Sequence, residues 1–329
     1  AITGTNGKTT TTEMIDQVFD HTPLRCAAAG NYGVAFSEIV NEGGLYDVIS
    51  LEVSSFQLEA IDTFKPKVSV WLNFAADHLD RYDSIDDYRA AKLRMFDFQT
   101  EDDLAVVKLE DRQLLGDLKP RVVTFSAFER GGNYEFDGRW ILRDGTQVFD
   151  FSATKLRGTH NAENVMAALA AAAEFDVDPA TVQTALASYT PPAHRCELVR
   201  EVNGNEFIND SKATNLHALE SSLRGQTKPV VLIAGGKEKG LDFGEISPLI
   251  SEKVSHVVLI GETAEGIAEA WRDAAECIIA KEIDVAVSKA QEVAADGQTI
   301  LFSPGSSSFD QFSGYVERGD AFKQCVRRL

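Results

Sequence analysis

The stretch Gly4-Thr5-Asn6-Gly7-Lys8-Thr9-Thr10 decides the fold class of this sequence. Its glycines let backbone N–H groups turn towards an anion, and the helix predicted to begin near Thr9 points its positive dipole at the same place. In such loops the lysine reaches the β- and γ-phosphates of a nucleotide, and the hydroxyl that follows binds magnesium. The stretch therefore predicts a phosphate loop, and a simple glycine-rich turn before a helix is the alternative.

Apolar runs and amphipathic stretches alternate outward from this loop, which is typical of a parallel sheet with crossover helices. The predicted elements are the strands 47–53, 68–73, 104–109 and 122–125 and the helices 9–19, 85–98 and 161–175. Between Asn133 and Phe151 the pattern changes to short alternating strands around two Asp-Gly turns. This change predicts a small antiparallel meander attached to the parallel sheet.

Two consecutive prolines, Pro191 and Pro192, mark the predicted domain boundary, because they end the preceding helix and stiffen a linker. Beyond them the alternation of strands and helices resumes, with strands predicted at 230–234, 254–260, 277–280 and 299–303. The prediction is therefore an α/β chain of two domains, a phosphate-loop ATPase domain at 1–191 and a Rossmann-like α/β domain at 192–329.

The composition of the chain disfavours several classes of binding partner. The chain has 329 residues and a net charge of −19, which disfavours broad binding to nucleic acid or to an anionic membrane. No apolar run approaches the roughly 20 residues of a membrane span. The four cysteines are far apart, which indicates neither a disulfide framework nor a zinc site and fits a cytoplasmic setting. The chain opens at Ala1, already in the loop, so we expect further sequence upstream.

Three residues outside the loop carry metal or acid–base chemistry in principle. Glu52 ends a predicted buried strand, where phosphate-loop enzymes place an acidic magnesium ligand, although a surface glutamate is the alternative. His78 lies among carboxylates after the next strand, as a metal ligand or as a structural histidine. Considered by itself, Lys92 is predicted to be a solvated residue on a helix.

Several motifs together resemble the Mur ligase family. They are the compact loop 4–10, the SSFQLE segment 54–59, the NxxxDHLDR segment 73–81, YRAAK at 88–92, the HNxxN segment 160–164, HRCE at 194–197, DSKATN at 210–215, the GGKEK loop 235–239 and the SPGSSSFDQF segment 303–312. They occur in order along the whole chain. The resemblance implies a central ATP-binding domain and a C-terminal glutamate-binding domain, preceded in the family by a UDP-binding domain.

The resemblance also assigns residues to roles. Catalysis is implied for Lys8, Glu52, His78, Lys92 and Lys212, with Thr9, Glu52, His78 and a carbamylated Lys92 as ligands of one or two magnesium ions. ATP binding is implied for Gly4, Thr5, Asn6, Gly7, Lys8, Thr9, Thr10, Asn31, Asn161, Asn164, Arg195 and Asp210. Binding of the incoming glutamate is implied for Thr214, Lys239, Ser308, Phe309 and Tyr315.

The activity implied is ATP-dependent amide bond formation in peptidoglycan precursor synthesis. D-glutamate is added to UDP-N-acetylmuramoyl-L-alanine through an acyl phosphate, by a cytoplasmic monomer whose partners are small molecules. One alternative is another glutamate-adding ligase of the superfamily, similar to folylpolyglutamate synthase. A second alternative is an ATP-binding module that is inactive without the upstream domain.

Overall fold

The structure is a computed structural model that describes residues 1–77, 81–238 and 240–329. The chain divides into two compact units, Ala1–Thr190 and Pro191–Leu329. Each unit has its own hydrophobic core. No helix in the described ranges is long and apolar enough to cross a membrane.

The first unit is built on a sheet that contains nine strands in the part of the chain described. They are β1 (Ile2–Thr3), β2 (Cys26–Gly30), β3 (Val48–Glu52), β4 (Val68–Trp71), β5 (Leu104–Lys108), β6 (Arg121–Ser126), β7 (Tyr134–Phe136), β8 (Trp140–Arg143) and β9 (Thr146–Asp150). Their order is β2-β3-β1-β4-β5-β6-β7-β8-β9, parallel as far as β7, with β8 and β9 added antiparallel. The predicted parallel sheet with an attached meander is confirmed.

Helices cover this sheet. They are α1 (Lys8–Phe19), α2 (Phe36–Asn41), α3 (Ser55–Leu58), α4 (Ile85–Leu93), α5 (Thr159–Ala173) and α6 (Pro179–Ala187), with 3-10 turns at Arg94–Phe96, Arg112–Leu115 and Phe151–Ala153. The alanines of α5 are almost all buried, since small side chains let this helix approach α1 and the sheet closely. The core therefore lies beneath the phosphate loop.

Two local predictions for this unit are wrong. The helix predicted over 85–98 ends at Leu93. The chain then forms a 3-10 turn, which is wound more tightly than an α-helix, before it enters β5. The helix predicted over 161–175 spans Thr159–Ala173, because Gly158 occupies the N-cap, so Thr159 and His160 lie inside the helix. Strand β2 was not predicted, because its Ala-Ala-Ala sequence has weak strand propensity.

The second unit has a six-stranded sheet among its described residues. The strands are β10 (Glu197–Val202), β11 (Asn205–Asn209), β12 (Val230–Gly235), β13 (Val254–Ile260), β14 (Glu276–Lys281) and β15 (Thr299–Phe302), in the order β10-β11-β15-β12-β13-β14. The helices are α7 (Leu216–Arg224), α8 (Ser247–Lys253), α9 (Ala264–Trp271), α10 (Ile283–Val293) and α11 (Tyr315–Arg328), with a 3-10 turn at Phe243–Ile246. All pairs are parallel except β10–β11, so the predicted Rossmann-like class is confirmed.

Chain order reverses between β12 and β15 in this sheet. The chain runs outward from β12 through β13 to β14 and then returns to place β15 on the other side of β12. In open α/β sheets, ligands bind beyond the carboxyl ends of the strands at such a reversal. The loops after β12 and β15 are therefore the expected binding loops of this unit.

Both sheets use one glycine in the same way. Gly30 ends β2 with φ 111°, and Gly235 ends β12 with φ 108°. A Cβ at Gly30 would collide with the carbonyl oxygen of Glu52 on β3, and one at Gly235 would collide with that of Ile260 on β13. Backbone therefore packs directly against backbone at the carboxyl edge of each sheet.

Candidate functional site

The loop between β1 and α1 has the geometry of an anion-binding loop. Gly7 occupies the N-cap of α1 in the left-handed region, with φ 86°, so the helix begins at Lys8 with its N-terminus directed at the loop. Lys8 Nζ donates to the carbonyl oxygens of Gly4 and Thr5, at 3.0 Å each. The ammonium group is thus held over the loop, and Thr9 and Thr10 follow in the first turn of the helix.

The carbonyl oxygen of Gly4 accepts a hydrogen bond from a second lysine. Lys92, in α4, donates from Nζ to this oxygen at 3.0 Å and to Thr3 Oγ1 at 3.4 Å. The same nitrogen lies 4.8 Å from the centre of the Tyr88 ring. Lys92 is 1% exposed, so α4 delivers a buried amine to the base of the phosphate loop.

Burial sets the protonation of this amine. Desolvation lowers the pKa of Lys92 well below its ordinary value, and the charge of Lys8 lowers it further. Asp77 and Glu52 oppose both effects without cancelling them. Lys92 is therefore far more often a neutral amine than an exposed lysine is.

Glu52 lies at the end of β3, and only one of its two carboxylate oxygens accepts a hydrogen bond. Asn31, directly after β2, donates from Nδ2 to Glu52 Oε1 at 3.0 Å and from its backbone N–H to the Glu52 carbonyl oxygen at 2.9 Å. Glu52 is 3% exposed, and its Oε2 has no hydrogen-bond partner among the described residues. An orphaned, buried carboxylate oxygen is a strong candidate cation ligand.

The asparagines of α5 lie on the other side of the loop. Asn164 donates to Asn161 Oδ1 at 3.3 Å, and Asn161 donates to the carbonyl oxygen of Arg157 at 2.8 Å. A Cβ on Gly7 would be 2.6 Å from Asn164 Oδ1. The helix that carries both asparagines is therefore packed against the loop itself.

In the second unit, Asp210 follows β11 and is almost fully buried. Its carboxylate accepts from Ser303 Oγ at 3.0 Å and from the backbone N–H of Cys196 at 3.2 Å. Burial raises the pKa of Asp210 from 3.8 to about 6, although these hydrogen bonds oppose the rise. Asp210 joins the loop after β15 to the segment that contains Arg195.

Lys212 and Tyr315 meet above this loop. Lys212 Nζ lies 4.0 Å from the centre of the Tyr315 ring, and the ring of His194 packs edge-on against the same tyrosine. The backbone N–H of Lys212 donates to the His194 carbonyl oxygen at 3.1 Å. Thr214 lies just before Asn215, which caps the N-terminus of α7.

A buried arginine supports the binding loops from below. Arg318, in α11, donates to Ser211 Oγ at 3.1 Å, to the Ser211 carbonyl oxygen at 2.9 Å and to the Ser306 carbonyl oxygen at 3.0 Å. It is 1% exposed, and burial lowers its pKa to about 10. Ser308 is buried beside these contacts, whereas Phe309 is 69% exposed.

Comparisons with known proteins decide the family. Residues 2–172 match the family described as the Mur ligase middle domain, and residues 194–305 match the one described as the Mur ligase, glutamate ligase domain. This chain is a Mur ligase. The relatives include the UDP-N-acetylmuramoylalanine–D-glutamate ligase of Geotalea daltonii, 41% identical over all of this chain and 74% of that protein. The protein of the same name from Salinibacter ruber is 38% identical over 76% of its length.

Solved structures share the fold of this Mur ligase at low identity. MurF ligase of Thermotoga maritima, in complex with ADP, is 18% identical with a TM-score of 0.73, over all of this chain and 80% of that one. Folylpolyglutamate synthase of Mycobacterium tuberculosis, complexed with ADP and AMPPCP, is 16% identical with a TM-score of 0.68, over 98% of this chain and 90% of that one. At these identities the likeness shows a shared fold.

The structure of this Mur ligase brings the predicted residues together in two groups. In the first unit these are the loop 4–10, Asn31, Glu52, Lys92, Asn161 and Asn164, and in the second Asp210, Lys212, Ser308 and Tyr315. His78 and Lys239 lie outside the described residues. Among those described, no cluster of three or more His, Cys, Asp or Glu side chains could hold a metal ion.

Sequence reasoning about this Mur ligase missed three supporting residues. Asn73, which pairs with the phosphate loop, was quoted only as part of a motif. His194 and Arg318 were given no role, although the structure buries both against the binding loops. No signal in the sequence distinguishes Arg318 from the arginines that lie at the surface.

Proposed function

We propose that this Mur ligase joins D-glutamate to UDP-N-acetylmuramoyl-L-alanine with the cleavage of ATP to ADP and phosphate, in peptidoglycan precursor synthesis. The observation that carries the proposal is the match at about 40% identity, across the whole chain, to ligases named for this reaction. The arrangement of the loop 4–10, Lys92 and Glu52 at one sheet edge supports it.

The reaction requires an activated carboxylate, because a carboxylate is a poor electrophile. An oxygen of the alanyl carboxylate attacks the γ-phosphorus of ATP, the bond to ADP breaks, and an acyl phosphate forms. The glutamate amine then attacks the acyl carbon and loses a proton. Phosphate leaves from the tetrahedral intermediate, and the amide remains.

Residues of the first unit are proposed to bind and orient ATP. The N–H groups at the start of α1 and the ammonium of Lys8 hold the β- and γ-phosphates, and Asn161 and Asn164 contact the adenine. In the second unit we assign Arg195 and Lys212 to phosphate groups and Asp210 to the ribose. Thr214, Lys239, Ser308, Phe309 and Tyr315 are assigned to glutamate.

We propose that magnesium is held by Thr9, Glu52, His78 and a carbamylated Lys92. The unpartnered Oε2 of Glu52 fits this assignment, because a divalent cation satisfies a buried carboxylate oxygen that lacks a hydrogen bond. When bound, magnesium neutralises charge on the phosphates. In carbamylation the neutral amine of Lys92 attacks the carbon of CO₂ and loses a proton, which converts a buried amine into an anionic oxygen ligand.

The proposed setting is the cytoplasm, where the chain acts as a monomer on small molecules rather than on nucleic acid or membranes. All three substrates are anions, whereas the chain carries a net charge of −19. Binding therefore depends on positive charge at particular positions, from Lys8 and magnesium in the first unit and from Arg195 and Lys212 in the second.

Phosphate release by the protein that carries these 329 residues tests the proposal. We expect release only when ATP, UDP-N-acetylmuramoyl-L-alanine and D-glutamate are all present, and we expect none with Lys8→Ala. Release with a folate and L-glutamate instead would favour the folylpolyglutamate synthase-like alternative. Binding of ATP without any ligase activity would indicate the inactive ATP-binding module.

A further inference from the structure

The phosphate loop is tied at two consecutive residues to the segment that follows β4. The backbone N–H of Thr5 donates to the Asn73 carbonyl oxygen at 3.0 Å. The Thr5 hydroxyl accepts from the backbone N–H of Ala75 at 3.0 Å and donates to the Ala75 carbonyl oxygen at 3.1 Å. Residues 73–75 therefore run alongside the loop and fix its first half.

The side chain of Asn73 completes this contact. Its Oδ1 accepts from the backbone N–H of Asn6 at 2.8 Å, and its Nδ2 donates to the Asn6 carbonyl oxygen at 3.1 Å. An amide side chain that binds both polar groups of one residue holds that residue in a single orientation. An apolar side chain of similar size would fill the space without fixing the peptide.

The other side of the loop is equally confined. Gly7 packs against Asn164 so closely that a Cβ would be 2.6 Å from the amide oxygen. Asn6 and Gly7 are thus held between the end of β4 and α5. The N–H groups of Lys8 and Thr9 that follow are oriented before any phosphate arrives, which lowers the entropic cost of binding it.

We propose that Asn73 is a positioning residue that holds the phosphate loop in its nucleotide-binding form. This inference rests on the proposed function, since it takes the loop to bind a nucleotide. Both polar groups of the Asn73 side chain bind the peptide groups of Asn6, so Asn73 acts through that residue. The backbone of Ala75 also pairs with Thr5, so the segment that follows Asn73 is held against the same loop.

Asn133 provides a matched control. Its Oδ1 accepts from the backbone N–H of Thr124 at 3.0 Å, and its Nδ2 donates to Asp144 Oδ1 at 3.2 Å, so it has the same chemistry at the start of the meander. Replacement by alanine removes two hydrogen bonds of a partly buried amide at Asn73 and three at Asn133. Only Asn73→Ala removes them from the phosphate loop.

The test is titration calorimetry of the 329-residue chain with ADP and magnesium chloride. We expect Asn73→Ala to raise the Kd about tenfold, equivalent to about 1.4 kcal/mol, and Asn133→Ala to leave it unchanged. Equal affinities for Asn73→Ala and the unsubstituted chain would overturn the inference. No binding by the unsubstituted chain would instead contradict the proposed function, so the two failures are distinguishable.

Two further measurements separate positioning from general stability. In the ligase assay, we expect Asn73→Ala to raise the KM for ATP about tenfold and to leave the KM for glutamate unchanged, whereas a loss of folding would lower kcat alone. If Asn73→Ala does not fold, Thr5→Val removes the hydroxyl pair with Ala75 at nearly constant volume. A Thr5→Val chain that folds and binds ADP with unchanged affinity would also overturn the inference.

Discussion

Lys92 shows how one buried side chain changes character with its surroundings. On an exposed helix it would be a solvated cation, yet here its amine lies between Gly4, Thr3 and the Tyr88 ring and is almost fully buried. An ammonium group in such a place loses hydration that two neutral acceptors replace only in part. The loss favours the neutral amine, which is the form that reacts with CO₂.

Carbamylation of Lys92 is therefore testable directly. Incubation of the chain with ¹³C-labelled bicarbonate should give one carbamate carbonyl resonance in the NMR spectrum. The resonance should be absent from Lys92→Met, because this variant has no amine at the site. Lys289→Met is a suitable control, since Lys289 is exposed and paired with Glu292, and it should keep the resonance. A resonance that persists in Lys92→Met would assign the carbamate elsewhere.

Asp210 predicts a dependence of stability on pH. Its pKa is raised to about 6 in the folded chain, so the folded state holds the proton more tightly than the unfolded state does. Its stabilising contribution is fully present below pH ~4 and is lost as the pH rises through about 6, for a total of about 3 kcal/mol. Asp210→Asn should remove this dependence.

Urea unfolding of both proteins between pH 4 and pH 7 measures the effect. The free energy of unfolding of the unit Pro191–Leu329, relative to Asp210→Asn, should fall by about 2 kcal/mol across that range. A constant difference between the two proteins would show that Asp210 titrates normally in the folded chain.

At this scale the sequence names candidate ligand-binding residues more readily than residues that support the binding loops. Lys8 and Glu52 stand in motifs whose chemistry is explicit, whereas Asn73 and Arg318 act through contacts with segments far away in the chain. Such contacts depend on tertiary structure. A single sequence gives no sign that Arg318 is buried while Arg272 is at the surface.

At the scale of elements, the junction of β1, the loop and α1 depends on one glycine. Gly7→Ala places a Cβ against Asn164 and strains a left-handed residue, so we expect at least a tenfold loss of ADP affinity. Gly43→Ala is the control, because Gly43 has φ 73° and nothing within 4 Å of a Cβ. It should cost about 1 kcal/mol in stability and leave ADP binding unchanged.

Titration of both variants with ADP compares them. The difference between the two isolates the contact with Asn164, since the backbone penalty is common to both. A Gly7→Ala chain that binds ADP as tightly as Gly43→Ala would contradict the packing described for the loop.

Most strands were predictable, because buried parallel strands read as continuous apolar runs. The strands that were missed include the alanine-rich β2 and the hairpin β10–β11, and the helices α2, α3 and α6 were not predicted either. The hairpin carried a readable signal, since Asn203-Gly204 separates its strands and both residues have positive φ. Half of β10 faces solvent, so charged residues alternate along this strand and it has no apolar run. The charged residues therefore obscured the hairpin signal.

For the whole molecule, two compact units with separate cores predict separate unfolding. Differential scanning calorimetry of the chain should show two transitions, and ADP with magnesium should raise chiefly the one that belongs to Ala1–Thr190, which carries the phosphate loop. At 100 times the Kd, the stabilisation should be about 2.7 kcal/mol. Lys8→Ala should abolish the shift while leaving both transitions in place.

The assignment of the transitions can be checked in the same experiment. Asp210→Asn alters the unit Pro191–Leu329, so without nucleotide it should move only the transition of that unit. A larger shift of that transition than of the other on addition of ADP would contradict the assignment of the phosphate loop to nucleotide binding.

The paired glycines Gly30 and Gly235 have a consequence for sequence change. At each, the adjoining strand's carbonyl occupies the volume of the first side-chain carbon, so even alanine does not fit. In a saturation mutagenesis library selected for activity, all nineteen alternatives should be depleted at both positions. Gly43, Gly131 and Gly138, which have open space around them, should accept asparagine and aspartate. Whether a glycine position accepts other residues would then depend on how closely the neighbouring strand approaches it, and not on the backbone conformation of the glycine itself.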